Sequence, residues 1–569
     1  MADKENQLNA YSNYFQGGLD TVSIPCMALS PKKESIGGKT GEATISENEG
    51  FTKSPLMINI LAKEREGLKR REGLKAFPNS TLTNIMGMTV DTASQDSFVI
   101  SKNANGSYTL SRIFKENGTI VSSSEFSLPN TPELLNFKIV TRYPSTTNNI
   151  FIFATDEKGN LYNLVTTFIN GVFSAVKPND VLTSTGITGP LNVIDKEESN
   201  RRLFLLIETA GQYKVIFGNN VSNLDNSYTL PASVKPTALF SLGRNLFVGT
   251  NSEILAIEFD ENYTSTSPIY RYANNVGVKN AFSYQLVGTF AYCYGESTFY
   301  SLELTTRREL SMDNTIVQFI DMNISNISSI LSPSNSFYHA SDKMIGWICN
   351  IDSVFTYKAL HMFARDIQGY KEGWDVYYTD NYKKNKFILL YSIEKNSWFL
   401  NFYEEDMRAY QNFSIKVTDK YCSSIVATNK GIYVAHRDYY LDGDKDFPVL
   451  FMPRIKNWRI LSGGLSRAQR VSISYSNNDE YTEANGDKEY LITACNSYLN
   501  KNIIHETTNN IFSDITNISK SSLYSISTYQ YHLNLTGIAP NCIIALSSKA
   551  VHSIIGVLVI EHASGVSSI

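Results

Sequence analysis

This sequence offers little with which to cross-link itself, grip phosphate, cross a membrane as a helix or build long helices. Its six cysteines (Cys26, Cys293, Cys349, Cys422, Cys495 and Cys542) lie tens to hundreds of residues apart. With no CxxC pair, neither a compact structural zinc module nor a thioredoxin-like centre is signalled. They read as free thiols buried among strands in a reducing compartment. Basic charge is not in surplus: 51 Lys and Arg stand against 55 Asp and Glu, a net charge of −4. Proteins that grip nucleic acid usually carry a positive excess that releases counterions from phosphate. Any DNA this chain meets is therefore expected to be enclosed rather than held. The polar stretch Met1–Gly18 lacks the apolar run of a secretion signal. The most apolar late segment, Ser553–Ile560 (SIIGVLVI), is too short to span a bilayer and reads as a buried strand.

What remains is abundant in aromatics. Of 569 residues 42% are hydrophobic and 12% aromatic, with 34 Tyr and 30 Phe, a balance that favours strands. Short apolar or alternating runs recur from about Thr81, bounded by Asn, Gly, Asp and Ser. Examples are Ser97–Ser101, Leu203–Glu208, Tyr213–Phe217, Tyr284–Val287, Phe387–Ser392 and Ile432–His436. Such runs are strands joined by hairpins, and the expected fold class is all-β. One phrase repeats: TDEKGNLY from Thr155, TNSEIL from Thr250 and TNKGIY from Thr428. The spacings of 95 and 178 residues fit every second blade of a sheet repeat about 45 residues long, the period of a β-propeller. Closing blades into a ring leaves only short edges. The expected division is an N-terminal strand and extended arm over 1–80, a β-propeller of six or seven blades over 81–440, and a β-sandwich-like C-terminal region over 441–569. The arm, residues 28–55, is dense in Ser, Gly, Lys and Glu and lacks any strand or helix period.

The chemical motifs all fall short. Gly37-Gly38-Lys39-Thr40 ends like a phosphate-binding loop, but Lys33 stands where the first glycine belongs. His505-Glu506 starts like a helical zinc-protease motif, yet Asn509 occupies the second ligand position. Asp442, Asp444 and Asp446 alternate like a calcium loop, but the glycine is at the second position and Pro453 is at the twelfth. A solvated turn is the expectation there, with a weak cation site as the alternative. The remaining histidines, His339 among them, show no ligand spacing. No catalytic set, no metal set and no cofactor is expected. The basic residues Lys69, Arg70 and Arg71, and the turn residues Lys383, Lys384 and Lys386, are the candidates to face DNA phosphate, against a default of solvated charge.

Gly17-Gly18-Leu19-Asp20-Thr21 and Arg71-Glu72-Gly73-Leu74-Lys75-Ala76-Phe77 resemble phrases of phage virion proteins. Further on, Phe240–Val248 (FSLGRNLFV), a strand like Glu253–Glu258, a turn glycine like Gly277, a strand pair like Gly288–Tyr294 and the hairpin Tyr391–Trp398 succeed one another. In this order they resemble the tail hub, nozzle or packaged-DNA stabilisation family of short-tailed bacteriophages. The resemblance runs from about Gly17 to Trp398 and departs in the polar arm and the C-terminal region. It implies a non-enzymatic structural subunit of the virion tail, assembled in the host cytoplasm. A homohexameric ring below the portal–adaptor complex would enclose the DNA channel and retain packaged DNA until ejection. The implied partners are further copies of itself, portal and adaptor proteins, other tail proteins or fibres, and the packaged DNA. The alternative is a receptor-binding or fibre-associated tail protein.

Overall fold

The computed structural model describes strands and turns over most of 56–309, 332–350, 386–452 and parts of 466–563. Residues 1–55, 179–191, 259–268, 310–331, 351–385, 453–465, 479–490, 497–502, 508–520, 535–541 and 564–569 lie outside them, as do shorter gaps. The polar arm and the glycine–lysine phrase at 37–40 therefore fall outside the described residues.

Among the described residues the regular structure is entirely β. Five successive up-and-down antiparallel sheets span Ile85–Phe126 (blade 1), Leu135–Pro178 (blade 2), Asn192–Thr229 (blade 3), Pro236–Asn274 (blade 4) and Tyr284–Glu309 (blade 5). Blade 6 begins with the four strands between Ser332 and Asn401, and blade 7 with the three between Met407 and His436. The fourth strand of blade 7 comes from the other end of the chain. Gly73–Ala76 pairs antiparallel with Ile432–His436, Leu74 opposite Ala435. The first strand of blade 7 packs on that of blade 1, and one core joins Ile85, Met88 and Val99 to Ile425, Ala427 and Val434. The ring is closed, and it is a seven-bladed propeller.

The middle strands are buried on both faces, so they read as continuous apolar runs instead of alternating ones. Leu203 to Ile207 is buried throughout, as is Leu246 to Val248. Each such side chain contributes about 1.5–3 kcal/mol relative to exposure, and the aromatics interlock, Phe240 stacking on its cross-strand neighbour Phe247 at 5.5 Å. Polar clamps cross the seams. Asp195, buried at a register shift in the first strand of blade 3, accepts hydrogen bonds from Leu239 N of blade 4 (2.7 Å) and the Tyr284 hydroxyl of blade 5 (3.1 Å). Burial and that carboxylate together push the Tyr284 phenol well above its ordinary pKa, so it stays a donor.

The repeated threonine phrase has a physical cause. Thr155, Thr250 and Thr428 all lie at or near the end of the second strand, in blades 2, 4 and 7. The Thr250 hydroxyl accepts from the backbone N–H of Ser252 (3.2 Å) and Glu253 (3.0 Å). Thr428 repeats this with Lys430 (3.1 Å) and Gly431 (3.2 Å). The hydroxyl satisfies backbone donors that the tight turn would otherwise leave without partners. Blade 3 carries Thr209 at the same place, before Ala210 and Gly211 at positive φ, a match that its different turn residues hid. The interval from Thr155 to Thr250 is two blades, as the spacing predicts. That from Thr250 to Thr428 is three blades, not four, because the connections Glu309–Ser332 and Asn350–Lys386 lengthen the later blades. Replacing Thr250 or Thr428 with valine is expected to cost about 1 kcal/mol each, with the effects adding because the turns are distant. Urea unfolding of the two variants and their combination checks this.

Beyond the ring, strands from before it in the chain (Leu56–Arg70) and from after it (Leu450–Ala563) pair with one another. Leu56–Ile58 lies between the last strand of blade 6, Ser397–Asn401, and Leu450–Met452. Cys542–Ser547, Leu491–Asn496 and Ile503–Thr507 continue that sheet to nine strands. A separate six-stranded sheet takes Ile60–Lys63 and Gly67–Arg70 beside Val551–Ala563, Ser466–Asn478, Ile526–Asn534 and Ser521–Leu523. The described strands from 441 onward fall in three sheets, and each of the three also holds strands from before residue 81. The propeller likewise reaches back across that expected boundary to take Gly73–Ala76. The open edges of blades 6 and 7 are what these strands cover.

Candidate functional site at the ring-closing seam

The basic run and the aspartate turn meet in space. Arg71 is 2% exposed and Asp442 is fully buried. Their side chains form a two-point pair, Nη1 donating to Oδ1 at 2.9 Å and Nη2 to Oδ2 at 2.5 Å. Arg71 Nε donates to Asn59 Oδ1 (3.0 Å), Nη1 also reaches the Glu72 carbonyl (2.9 Å), and the guanidinium lies 3.8 Å over the Tyr403 ring. The local backbone enforces this. Asn59 sits at φ +60°, its carbonyl accepting from Arg71 N, and Gly443 at φ +69° turns the chain so that its N–H meets the Leu74 carbonyl.

This corrects two expectations. Arg71 is spent on an internal pair and Arg70 is also buried, so neither faces DNA. Asp442 is not solvated, as the turn reading expected, but buried against Arg71, so the cation it holds belongs to the protein. Lys69 and Lys386 lie in the strands Gly67–Arg70 and Lys386–Ser392, while Lys383 and Lys384 fall outside the described residues. Asp446 is in the two-residue strand Lys445–Asp446 and Asp444 is outside the described residues. His505 and Glu506 are in a strand, which removes the helix that a zinc-protease motif needs.

Beside the ion pair lies a cavity of about 20 Å³ between blades 6 and 7, enough room for a water molecule. Its wall includes Arg71, Glu72, His339, Asp342, Asn401 and Tyr403. His339 ends the first strand of blade 6, and Asp342 stands in the turn that follows. Glu72 arrives from the N-terminal segment just before the ring-closing strand. His339 Nε2 is 3.9 Å from Glu72 Oε2, and Nδ1 is 3.5 Å from Asp342 Oδ2. The three residues can each bring one ligand atom within 4.8 Å of the other two. Burial pushes the Tyr403 phenol up to about 12, against the opposing pull of Arg71. Burial, then the Glu72 charge, raises Tyr410 well above its usual value. Both phenols are therefore neutral donors at pH 7. The sequence showed no ligand spacing because the three residues lie on two segments about 270 residues apart.

The buried thiols of Cys293 and Cys349 are free. Burial pushes Cys293 up to about 12, and Cys349 higher still. The raised folded pKa gives the sign: stability from a neutral thiol is present below the unfolded value near 9 and is lost as pH climbs towards 12. Alkaline melts are expected to lose stability between pH 9 and 12, with iodoacetamide labelling of Cys293 only after denaturant. Labelling of the native chain at pH 8 would contradict this.

No family model and no curated protein matches the chain. Among solved structures it is similar to the WD40 domain of SCAP from fission yeast, at 10% identity and TM-score 0.30, over 62% of this chain and 82% of that one. It is also similar to the extracellular domain of the one-component system BT4673 from B. thetaiotaomicron, at 7% identity and TM-score 0.34, over 70% and 43%. The propeller assignment stands on the strand order and ring closure themselves.

Proposed function

We propose that the chain is a non-enzymatic structural subunit of a bacteriophage tail hub or nozzle, placed in a homohexameric ring below the portal–adaptor complex. In this reading the ring encloses the DNA channel and retains packaged DNA until ejection. The observation that carries it is the way strands from before and after the ring in sequence extend the sheets of blades 6 and 7. They extend one blade to nine strands and add a six-stranded sheet beside it. A propeller so extended on one side offers a ring neighbour a firm lateral surface. The ordered phrases support the same reading, because FSLGRNLFV forms the first hairpin of blade 4 around Gly243, and Tyr391–Trp398 forms the last hairpin of the first four strands of blade 6. Six copies at −4 each carry −24; lining the lumen, that charge would repel a passing duplex and reduce sticking. Burial of Arg71 leaves that balance unchanged, because Asp442 is buried with it. The other implied partners are adaptor, portal, fibre proteins and the DNA itself.

Electron microscopy of virions carrying a tagged copy tests the proposal. Label in a six-fold ring directly beneath the portal is the expected result. Label on fibres or at the tail periphery would sink it in favour of receptor binding.

A further inference from the structure

We infer that the outer edge of blade 1, the strand Ile120–Phe126, docks an extended peptide strand of a partner protein. The other blades show how an outer edge is normally guarded. Blades 6 and 7 have theirs covered by further strands. Blade 2 ends in two strands of two residues, the second of them Lys177–Pro178. Blade 3 ends in four residues, Asn226–Thr229, and blade 5 in three, Arg307–Glu309, all charged. The outer strand of blade 4 carries Arg271, whose side chain is 61% exposed. Shortness, basic charge and proline are devices that keep strand edges from pairing with other chains. Blade 1 uses none of them. Its outer strand runs seven residues, IVSSSEF, with Glu125 near one end as its single charge. A register shift between Ile120 and Ser122 leaves 122–126 in unbroken pairing with the third strand, and among the described residues no strand lies beyond.

Exposed apolar side chains mark the same edge. Ile120 is 39% exposed, Val121 48%, Ile169 45% and Val172 63%. Ser122 Oγ accepts from Phe173 N at 3.2 Å, which brings the flanking residues together, and Ile169 is the cross-strand partner of Val172. The four amount to roughly 300 Å² of apolar surface. A stable interface between two folded proteins buries about 800 Å² on each, so the patch is too small to hold a second copy of this chain. An added strand needs less, because main-chain hydrogen bonds along the edge supply the affinity and alternate side chains the specificity. Antiparallel addition is the more stable. Charge then sets what such a strand carries. Hydrogen bonds from Ser107 and from Asn105 (3.2 Å) hold the Glu125 carboxyl below its usual range, a fixed negative charge at one end. The partner strand is therefore basic at its start, opposite Glu125, and apolar at its end, beside Ile120 and Val121. This inference is independent of the tail reading, since any chain with that pattern can supply the strand.

The test uses the full chain and a synthetic octapeptide, Thr-Lys-Thr-Ser-Thr-Val-Thr-Val, blocked at both ends. Hydrogen exchange read by mass spectrometry should show the outward amides of 120–126 exchanging fast in the free chain and slowing as peptide is added. Val121→Lys, at an exposed position and therefore tolerant of change, should weaken peptide binding about tenfold, roughly the worth of burying one valine. Its melting midpoint should stay where it was. A glutamate in place of the peptide's lysine should weaken binding several-fold. No slowing with peptide, or slowing that Val121→Lys leaves unaltered, overturns the inference. So do amides already protected in the free chain at every concentration, because another segment then holds the edge. Protection that grows with protein concentration alone would assign the edge to a second copy and overturn it too.

Discussion

Replacing Asp442 with asparagine is expected to destabilise the protein by about 3–5 kcal/mol, because it leaves the Arg71 guanidinium buried without a counter-charge. With side-chain exposures of 1% and 0%, the pair is shut off from bulk solvent. The hydrogen bonds to Asn59 and the Glu72 carbonyl, and the Tyr403 face, would remain. None of them carries a full negative charge. The same physics predicts that removing both charges, Arg71→Met with Asp442→Leu, costs less than either single change, since the desolvation of both ions disappears together. Guanidinium unfolding of the two singles and the double forms the cycle. A loss below about 1 kcal/mol for Asp442→Asn would show that water reaches the guanidinium after all.

Trp347→Ala is expected to cost about 3–5 kcal/mol. Trp347 is fully buried in the second strand of blade 6, with Phe299 of blade 5 at 4.9 Å and Trp398 at 5.9 Å. Its indole N–H also donates to the Ser283 carbonyl at 3.2 Å, crossing to the entry of blade 5. The substitution therefore opens a cavity in a seam and removes one of the two donors to the Ser283 carbonyl, leaving the Tyr294 N–H at 2.8 Å. Trp347→Phe keeps most of the volume and should cost about half as much or less. A melting midpoint for Trp347→Ala within a degree of wild type would contradict the packing described.

Local signals were legible and distant ones were not. The strands Tyr284–Val287 and Ile432–His436 coincide with the apolar runs read from the sequence, because a run bounded by turn residues is a local property. The blade count was not legible: six or seven was only a division of length, and the threonine spacing implied one blade too many between Thr250 and Thr428. Nor was Gly73–Ala76: four residues, two of them exposed, carry too little pattern to announce a partner some 360 positions away. Arg71 and Asp442 misled for the same reason. A double arginine and an alternating aspartate turn look like solvated charge until the fold brings them together. His339 was set aside for lack of spacing, and only the first turn of blade 6 and the approach of Glu72 give it company.

The ring-closing strand has a consequence for how the protein is made. Gly73–Ala76 leaves the ribosome early, whereas its partner Ile432–His436 is some 360 residues behind. At about 5–20 residues per second, that edge waits roughly 20–70 s for its mate. Over that interval blades 1 to 6 can assemble as an open arc, with one flank bare of its neighbour. Nascent chains crowded on one message would then be tempted to lend each other the missing strand, giving swapped dimers. Lys75, exposed in the finished ring, puts a positive charge on that waiting edge, which discourages such an exchange.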